Sequence, residues 1–462
     1  MHRRFLIPAL FALATSASAC TAEPVRQDIR GEDGVVAEAQ GVWRSRESGW
    51  ILEIDETGIT RWQDTPAACY PSPTDGPTLM GQIEYRYFTA ISADTARFQY
   101  LPGDGHARFE RLDALPAHCS ANLDTSPQAV FDVFVSVFER HYAFFDARGV
   151  DWPAQVDTAR RQLRGDMSEA ELFDLLAGMI APLGDSHTKL IAQIDGERRR
   201  AQFGLGDTLP RIDATLGETP WLIDLIQQLV TTVLDESAQH IANDRIITGT
   251  IDDRVGYLQF FTMGGFVSEF EAGTPQWAAA ELAALDTIMD EALTQFEGMD
   301  AVILDLSNNR GGYDAVCRSI ASRFTNAPFL GYTVSVGNEP EPVARYTIEP
   351  AEGPRFTGPV YVLTSDVTVS CGEITTMMLR QLEHVTQVGA TTRGAFSTPL
   401  AKPLPNGWYL ELSNERFEDT SGTAHEARGL EPDIAIHPFP EDSPVAGHAA
   451  VIAAILADLD AR

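Results

Sequence analysis

Residues 360 to 382 constrain the fold most. The apolar run Val360-Tyr-Val-Leu363 leads through a turn of small and hydroxyl residues into Glu373-Ile-Thr-Thr-Met-Met-Leu-Arg-Gln-Leu382. A short apolar run bounded by turn residues reads as a buried strand, and the second segment has the apolar spacing of a helix. A strand that passes directly into a helix belongs in a layered α/β arrangement. Ser370 falls at the junction, where the unpaired N–H groups of a helix start favour negative charge. An attacking serine and the oxyanion it creates would both be stabilised there. A plain helix cap uses serine at the same place, and the stretch by itself fits either use.

The α/β pattern extends on both sides, over about residues 251–440. Val255-Gly-Tyr-Leu-Gln-Phe-Phe261 is an expected strand and Ala278 to Phe296 an expected helix. Asp300-Ala-Val-Ile-Leu-Asp305 is a buried strand running into Ser307-Asn-Asn-Arg-Gly-Gly312, and Trp408 to Leu412 is a further strand. Residues 441–462 close the chain with a helix from about Val445 to Leu459. Upstream, residues 125–195 read as a helical subdomain. Ser126-Pro127 starts its first helix, Asp151-Trp-Pro153 its second, and the capping box Ser168-Glu-Ala-Glu171 its third. The third runs up to Leu183-Gly-Asp-Ser-His187, which leaves His187 in a loop beside Asp185 and Ser186. A lone loop histidine is more often structural or solvated than catalytic.

Residues 40–120 read as a small β domain of alternating segments, including Trp50-Ile-Leu-Glu-Ile54 and Ala107-Arg-Phe-Glu-Arg111, with turn residues between them. Residues 20–39 are polar and aperiodic and read as a flexible tether. Residues 196–250 are left unassigned; Glu197-Arg-Arg-Arg200 reads as a solvated charge run and Trp221 to Leu234 as a helix.

Acidic residues outnumber basic ones 66 to 34, for a formal charge of -32. Such a surface repels nucleic acid and anionic lipid. The N-terminus carries Arg3-Arg4, an apolar run from Phe5 to Leu13, and Ala17-Ser-Ala19-Cys20. This is the pattern of a secretory signal over residues 1–19, cleaved after Ala19. Cys20 matches a bacterial lipobox cysteine, although Ala17 stands where Leu is usual, so lipid attachment is expected at Cys20, with a freely secreted form as the alternative. The expected setting is the bacterial periplasm or cell envelope, and the only expected membrane contact is that anchor. Cys69 and Cys119 can close the β domain in an oxidising compartment; Cys317 and Cys371 fit buried free thiols equally well. No cysteine pair has zinc-type spacing, and no metal is expected.

Four stretches, in this order, resemble the C-terminal-processing and tricorn-core serine peptidases. They are Leu183-Gly-Asp-Ser-His187-Thr, Ile303-Leu-Asp305-Leu-Ser-Asn-Asn-Arg-Gly311-Gly312, Val369-Ser370-Cys-Gly-Glu373 and Glu426-Ala-Arg-Gly429-Leu-Glu-Pro432-Asp433. The resemblance covers about residues 126–438 and implies a crotonase-like α/β peptidase core. It implies Ser370 as nucleophile. Ala395 stands where the processing branch has its lysine base, so the tricorn-like branch is the closer match. That branch implies His187 as base, oriented by Glu426 directly or through Ser186, with backbone N–H groups of Cys371, Gly311 and Gly312 as the oxyanion hole. The implied activity is exported hydrolysis of peptides or unfolded protein tails with no metal or organic cofactor. The fold also occurs in retinoid-binding relatives, so an apolar-ligand or peptide binder is the alternative, as is an esterase-type acyl hydrolase. No convincing PDZ domain falls in residues 190–250.

Overall fold

The computed structural model describes residues 26–31, 34–73, 85–101, 103, 105–120, 122–337 and 342–461. The expected signal segment and Cys20 lie outside the described residues. Among the described residues no helix is long and apolar enough to cross a membrane.

An antiparallel eight-stranded sheet forms the N-terminal domain. Its order is Gln27–Asp28, Tyr87–Ala90, Thr95–Gln99, His106–Leu112, Gly41–Arg44, Trp50–Asp55, Gly58–Asp64 and Cys69–Pro71. Trp43, Trp50, Phe88, Phe98 and Phe109 form its core, all at most 1% exposed. The tether expectation fails from Gln27 onward. Gln27 and Asp28 pair with Phe88 and Tyr87, and Ile29 and Ala39 are buried in the same core. These isolated apolar residues are too sparse to give a periodic signal, but both belong to the buried cluster of the β domain. A disulfide joins Cys69, on the last strand of the sheet, to Cys119.

Three helices follow: Pro127–His141, Trp152–Gln162 and Glu169–Ile180. Each starts on the cap read from the sequence. Ser126 Oγ accepts from Ala129 N, Asp151 Oδ1 from Ala154 N, and Ser168 and Glu171 form the reciprocal box. Residues 125–195 are not all helical, however. Lys189–Ile194 and Glu197–Gln202 form a hairpin, and Lys189–Ile194 also pairs with Tyr409–Ser413 of the next domain. On this edge strand Glu197, Arg198 and Arg200 are exposed, while Arg199 lies over the Phe173 ring and pairs with Asp174.

The α/β domain is built on a seven-stranded sheet. Its order is Gln239–Ile241, Ile246–Ile251, Val255–Phe260, Ala301–Asp305, Val360–Thr364, Val385–Gly389 and Ile434–Ala435. From Val255–Phe260 onward the strands are parallel. The sheet therefore begins before residue 251. Ile246-Ile-Thr-Gly-Thr-Ile251 is wholly buried, and its small residues hid it within the unassigned stretch. Helices Pro275–Gln295, Asp314–Ser322 and Cys371–Leu379 pack on one face, and Ala446–Ala461 and Glu218–Gln228 on the other. Glu218–Gln228 continues into a single π turn, Leu229–Val233, so the helix expected at Trp221 to Leu234 is present but not regular throughout. A buried Tyr257–Asp305–His448 chain, with bonds of 2.6 Å on each side of Asp305, ties the last helix to the sheet. Cys317 and Cys371 are joined by a disulfide rather than left as thiols.

Candidate active site

Ser370 ends the loop between the strand Val360–Thr364 and the helix Cys371–Leu379, with φ 57 and ψ -123. A left-handed conformation is costly for a residue with a Cβ and persists only where its surroundings enforce it. Here the surroundings are explicit. Ser370 N–H donates to Ala395 O at 3.0 Å and, at 3.3 Å, to Glu373 Oε2. Glu373 is fully buried, and its carboxylate also accepts from Gly394 N and Ala395 N at 2.7 and 2.8 Å. Burial pushes the Glu373 carboxyl up; the N–H donors act against that. The other side of the turn is clamped to the 306–309 loop. Thr368 Oγ1 donates to Leu306 O, Ser365 Oγ to Ser307 O, and Val369 N to Asn309 O.

The glycine pair lies directly against this turn. A Cβ on Gly311 (φ 75) would come within 2.6 Å of Ser370 Cβ, and one on Gly312 (φ 145) within 2.4 Å of Met263 O. The two glycines are not equivalent as donors. Gly311 N–H donates to Asn309 Oδ1 at 2.9 Å. It is therefore committed, contrary to its expected place among the oxyanion donors. Among the described residues no acceptor is assigned to Gly312 N–H or Cys371 N–H.

His187 follows the 3₁₀ turn Ala181–Leu183 and Gly184, which is left-handed at φ 55. The loop is organised by Asp185, 1% exposed. Its carboxylate accepts from His187 N at 2.9 Å, Thr188 Oγ1 at 2.9 Å and Tyr142 Oη at 3.1 Å. Burial lowers the His187 imidazole below its ordinary value, against the pull of Asp185, so the ring is neutral near pH 7. The Ser397 backbone stands at the same ring. Residues 394–397 thus connect the two sites, with Ala395 bonded to Ser370 and Ser397 beside His187.

Glu426 does not reach His187 by the expected route. Ser186 Oγ and His187 Nδ1 are both buried without a hydrogen-bond partner among the described residues. Glu426 Oε2 accepts instead from Phe396 N at 2.8 Å and Ser397 N at 3.2 Å, and Oε1 from Arg148 at 3.0 Å. Arg148 also donates to Gly184 O and Gly394 O and lies 3.7 Å from Asp185. One buried cation therefore serves two buried acids. Asp185 is held low by Arg148 and His187 despite its burial, whereas burial and the Asp185 charge push Glu426 up to about 8. The two environments thus act in opposite directions, favouring the charged form of Asp185 and the protonated form of Glu426. Arg148 sits in the unpatterned turn Asp146-Ala-Arg148-Gly, and nothing in the sequence singled it out. His425 pairs with Asp419 at 2.9 Å, its ring beside Phe396.

Ser370 opens onto a cavity of about 530 Å³, lined also by Gly312, Tyr313, Trp277, Phe396 and Glu415.

Residues 254–436 match the profile of peptidase family S41, and residues 124–181 match that of the tricorn protease C1 domain. The chain is similar to a carboxy-terminal-processing protease of Bartonella bacilliformis, 23% identical over 62% of this chain and 64% of the relative. It is also similar to the carboxy-terminal processing protease CtpB of Bacillus subtilis, 25% identical over 30% of this chain and 28% of the relative. The chain thus spans less than two thirds of either curated relative. Among solved structures, a putative peptidase from Parabacteroides merdae aligns with TM-score 0.59 and 24% identity over 73% of this chain and 97% of that one. Mature CPAF bound to lactacystin aligns with TM-score 0.52 and 13% identity over 72% and 98%. These likenesses give the same mixed α/β fold.

Proposed function

The chain belongs to the serine peptidases of family S41, and from that premise we propose that it hydrolyses peptides or unfolded protein tails through an acyl-enzyme on Ser370. The observation that carries this reading is the enforced left-handed turn that holds Ser370 at a helix N-terminus and on the cavity wall, bonded to Ala395, with Ser397 two residues further along the same segment at the His187 ring. In the proposed reaction neutral His187 takes the Ser370 proton as Oγ attacks the peptide carbonyl. The carbonyl oxygen becomes an oxyanion, stabilised by the N–H groups of Cys371 and Gly312, each worth about 10²–10³ in rate. Collapse breaks the C–N bond, and the imidazolium returns its proton to the leaving amine. Water, activated by His187, then attacks the ester and frees Ser370.

In this reading Glu426 is a positioning residue. It fixes Phe396 and Ser397, and through them the surroundings of the His187 ring, while Asp185 and Arg148 hold the base loop. The Ser370–His187–Glu426 set on a crotonase-like core, with Ser186 alongside, is the tricorn-like arrangement. The N-terminal pattern ending at Cys20 supports export to the cell envelope with a lipid anchor.

The experiment is digestion of a defined peptide mixture by the purified protein, read by mass spectrometry. Cleavage that disappears in a folded Ser370→Ala variant is the expected result. Undiminished cleavage in that variant sinks the assignment.

A further inference from the structure

The N-terminal β domain lies outside both matched segments, yet it forms part of the cavity wall beside Ser370. Gln99, Tyr100, Leu101 and Ala107 contribute from the β domain, and Trp277 and Tyr313 from the α/β domain. The two domains exchange core residues. Leu101, 3% exposed, packs in the apolar cluster of the α/β domain, and Leu400, 8% exposed, packs in that of the β domain. Tyr100 lies over Gly273, where a Cβ would stand 2.4 Å from its Oη. A wall seated this way keeps its shape while substrate enters.

We propose that the N-terminal β domain selects substrate, its Gln99–Leu101 and Ala107 surface joining Trp277 and Tyr313 to hold a bulky apolar side chain of a peptide bound at Ser370. This deepens the peptidase reading and rests on it. The cavity, at about 530 Å³, is in the range of sites that take several groups of a ligand rather than one methyl or water. Its wall is mainly apolar and aromatic, so the gain comes from side-chain area removed from water. Its carboxylates act against acidic side chains. Asp314 is paired with Arg318 and Glu411 with Lys189, so neither cation is left to meet a substrate anion. Glu415 has no ion-pair partner among the described residues, and burial holds its carboxyl up at about 7.

The test compares wild type with Ala107→Trp and Gln99→Trp, two substitutions of cavity-lining residues on neighbouring strands. Two readouts are taken: kcat/KM over a peptide library varied at each position around the scissile bond, and labelling of Ser370 by a small fluorophosphonate. The wild type is expected to favour aromatic or branched apolar side chains at one position and to disfavour Asp and Glu there. At least one Trp variant is expected to lose roughly tenfold or more on those peptides, with much less loss on peptides carrying Ala at that position. Labelling should stay at the wild-type rate, which shows that the variant is folded. Normal labelling with unchanged selectivity in both variants overturns the proposal alone, as does a wild-type preference for acidic, basic or small side chains. No labelling of the wild type at Ser370 overturns the serine reading and this proposal with it.

Discussion

Gly311→Ala tests whether the loop at residues 306–312 and the Ser370 turn act as one preorganised unit. The new Cβ would lie 2.6 Å from Ser370 Cβ, 3.1 Å from its Oγ and 3.1 Å from Val369 O. None of these neighbours is the far end of a flexible chain, and Val369 O is backbone. Ser370 must therefore shift, because its own N–H is tied to Ala395 O and Glu373. Alanine at φ 75 adds about 1–2 kcal/mol of backbone strain. That cost alone lowers Tm by only a few degrees, since each kcal/mol moves a domain of this size by roughly 2–4 °C. The effect on reaction is much larger, because a misplacement of about 1 Å costs on the order of 10² in rate. The assay is the second-order rate of Ser370 labelling by a fluorophosphonate, with the melting temperature measured alongside. A labelling rate at least about 100-fold lower in a folded variant is expected. A rate within a factor of about two of wild type would refute the packing argument.

Other perturbations separate the roles of the surrounding residues. Arg148→Met leaves Asp185 and Glu426 buried without their shared cation. Destabilisation by about 3–5 kcal/mol in chemical denaturation is expected, and a change near zero would show that the cluster is not held by that ion pair. Glu426→Gln addresses pH linkage. The folded state holds the Glu426 proton up to about 8 while the unfolded chain releases it near the ordinary carboxyl value, so the folded state binds more protons between these pH values. This group's contribution is thus fully present below about pH 4.5 and is lost as pH rises through about 8. The variant should flatten the fall in stability across that window, and an unchanged slope counts against the assignment. Ala395→Lys should not restore activity to His187→Ala, because Ala395 is buried, 1% exposed, and a lysine chain there has to displace packed neighbours before its amine can be placed. Recovered turnover would mean that a lysine-based site can form on this turn.

The sequence made the α/β core legible where local pattern and burial coincide. Val360–Thr364, Ala301–Asp305 and the three capped helices are elements whose signals lie within a few residues. The same holds for the placement of Ser370 on a strand-to-helix turn and of His187 in the loop after the third helix. What stayed hidden depends on distant partners. Arg148 acquires its place from Gly184, Gly394 and Glu426, the last 278 positions away. The route expected from Glu426 through Ser186 fails for the same reason, since the motif reveals the acid but not the guanidinium that occupies it. Gly311 and Gly312 look alike in sequence, yet the Asn309 side chain two residues earlier takes the first as a donor. The strand Ile246–Ile251 and the paired Gln27–Asp28 are defined by neighbours across a sheet rather than by periodicity.

The central claim is that His187 activates Ser370, and the rate of Ser370 acylation measured against pH in wild type and His187→Ala tests it most directly. The account predicts a wild-type rate that rises through one ionisation below the ordinary histidine value, as the buried ring loses its proton, and then levels. It predicts that His187→Ala loses about 10²–10⁴ of the rate at the plateau, with the ionisation gone from the profile. Labelling of Ser370 in a folded His187→Ala protein at the wild-type rate, with the same pH dependence, would contradict it.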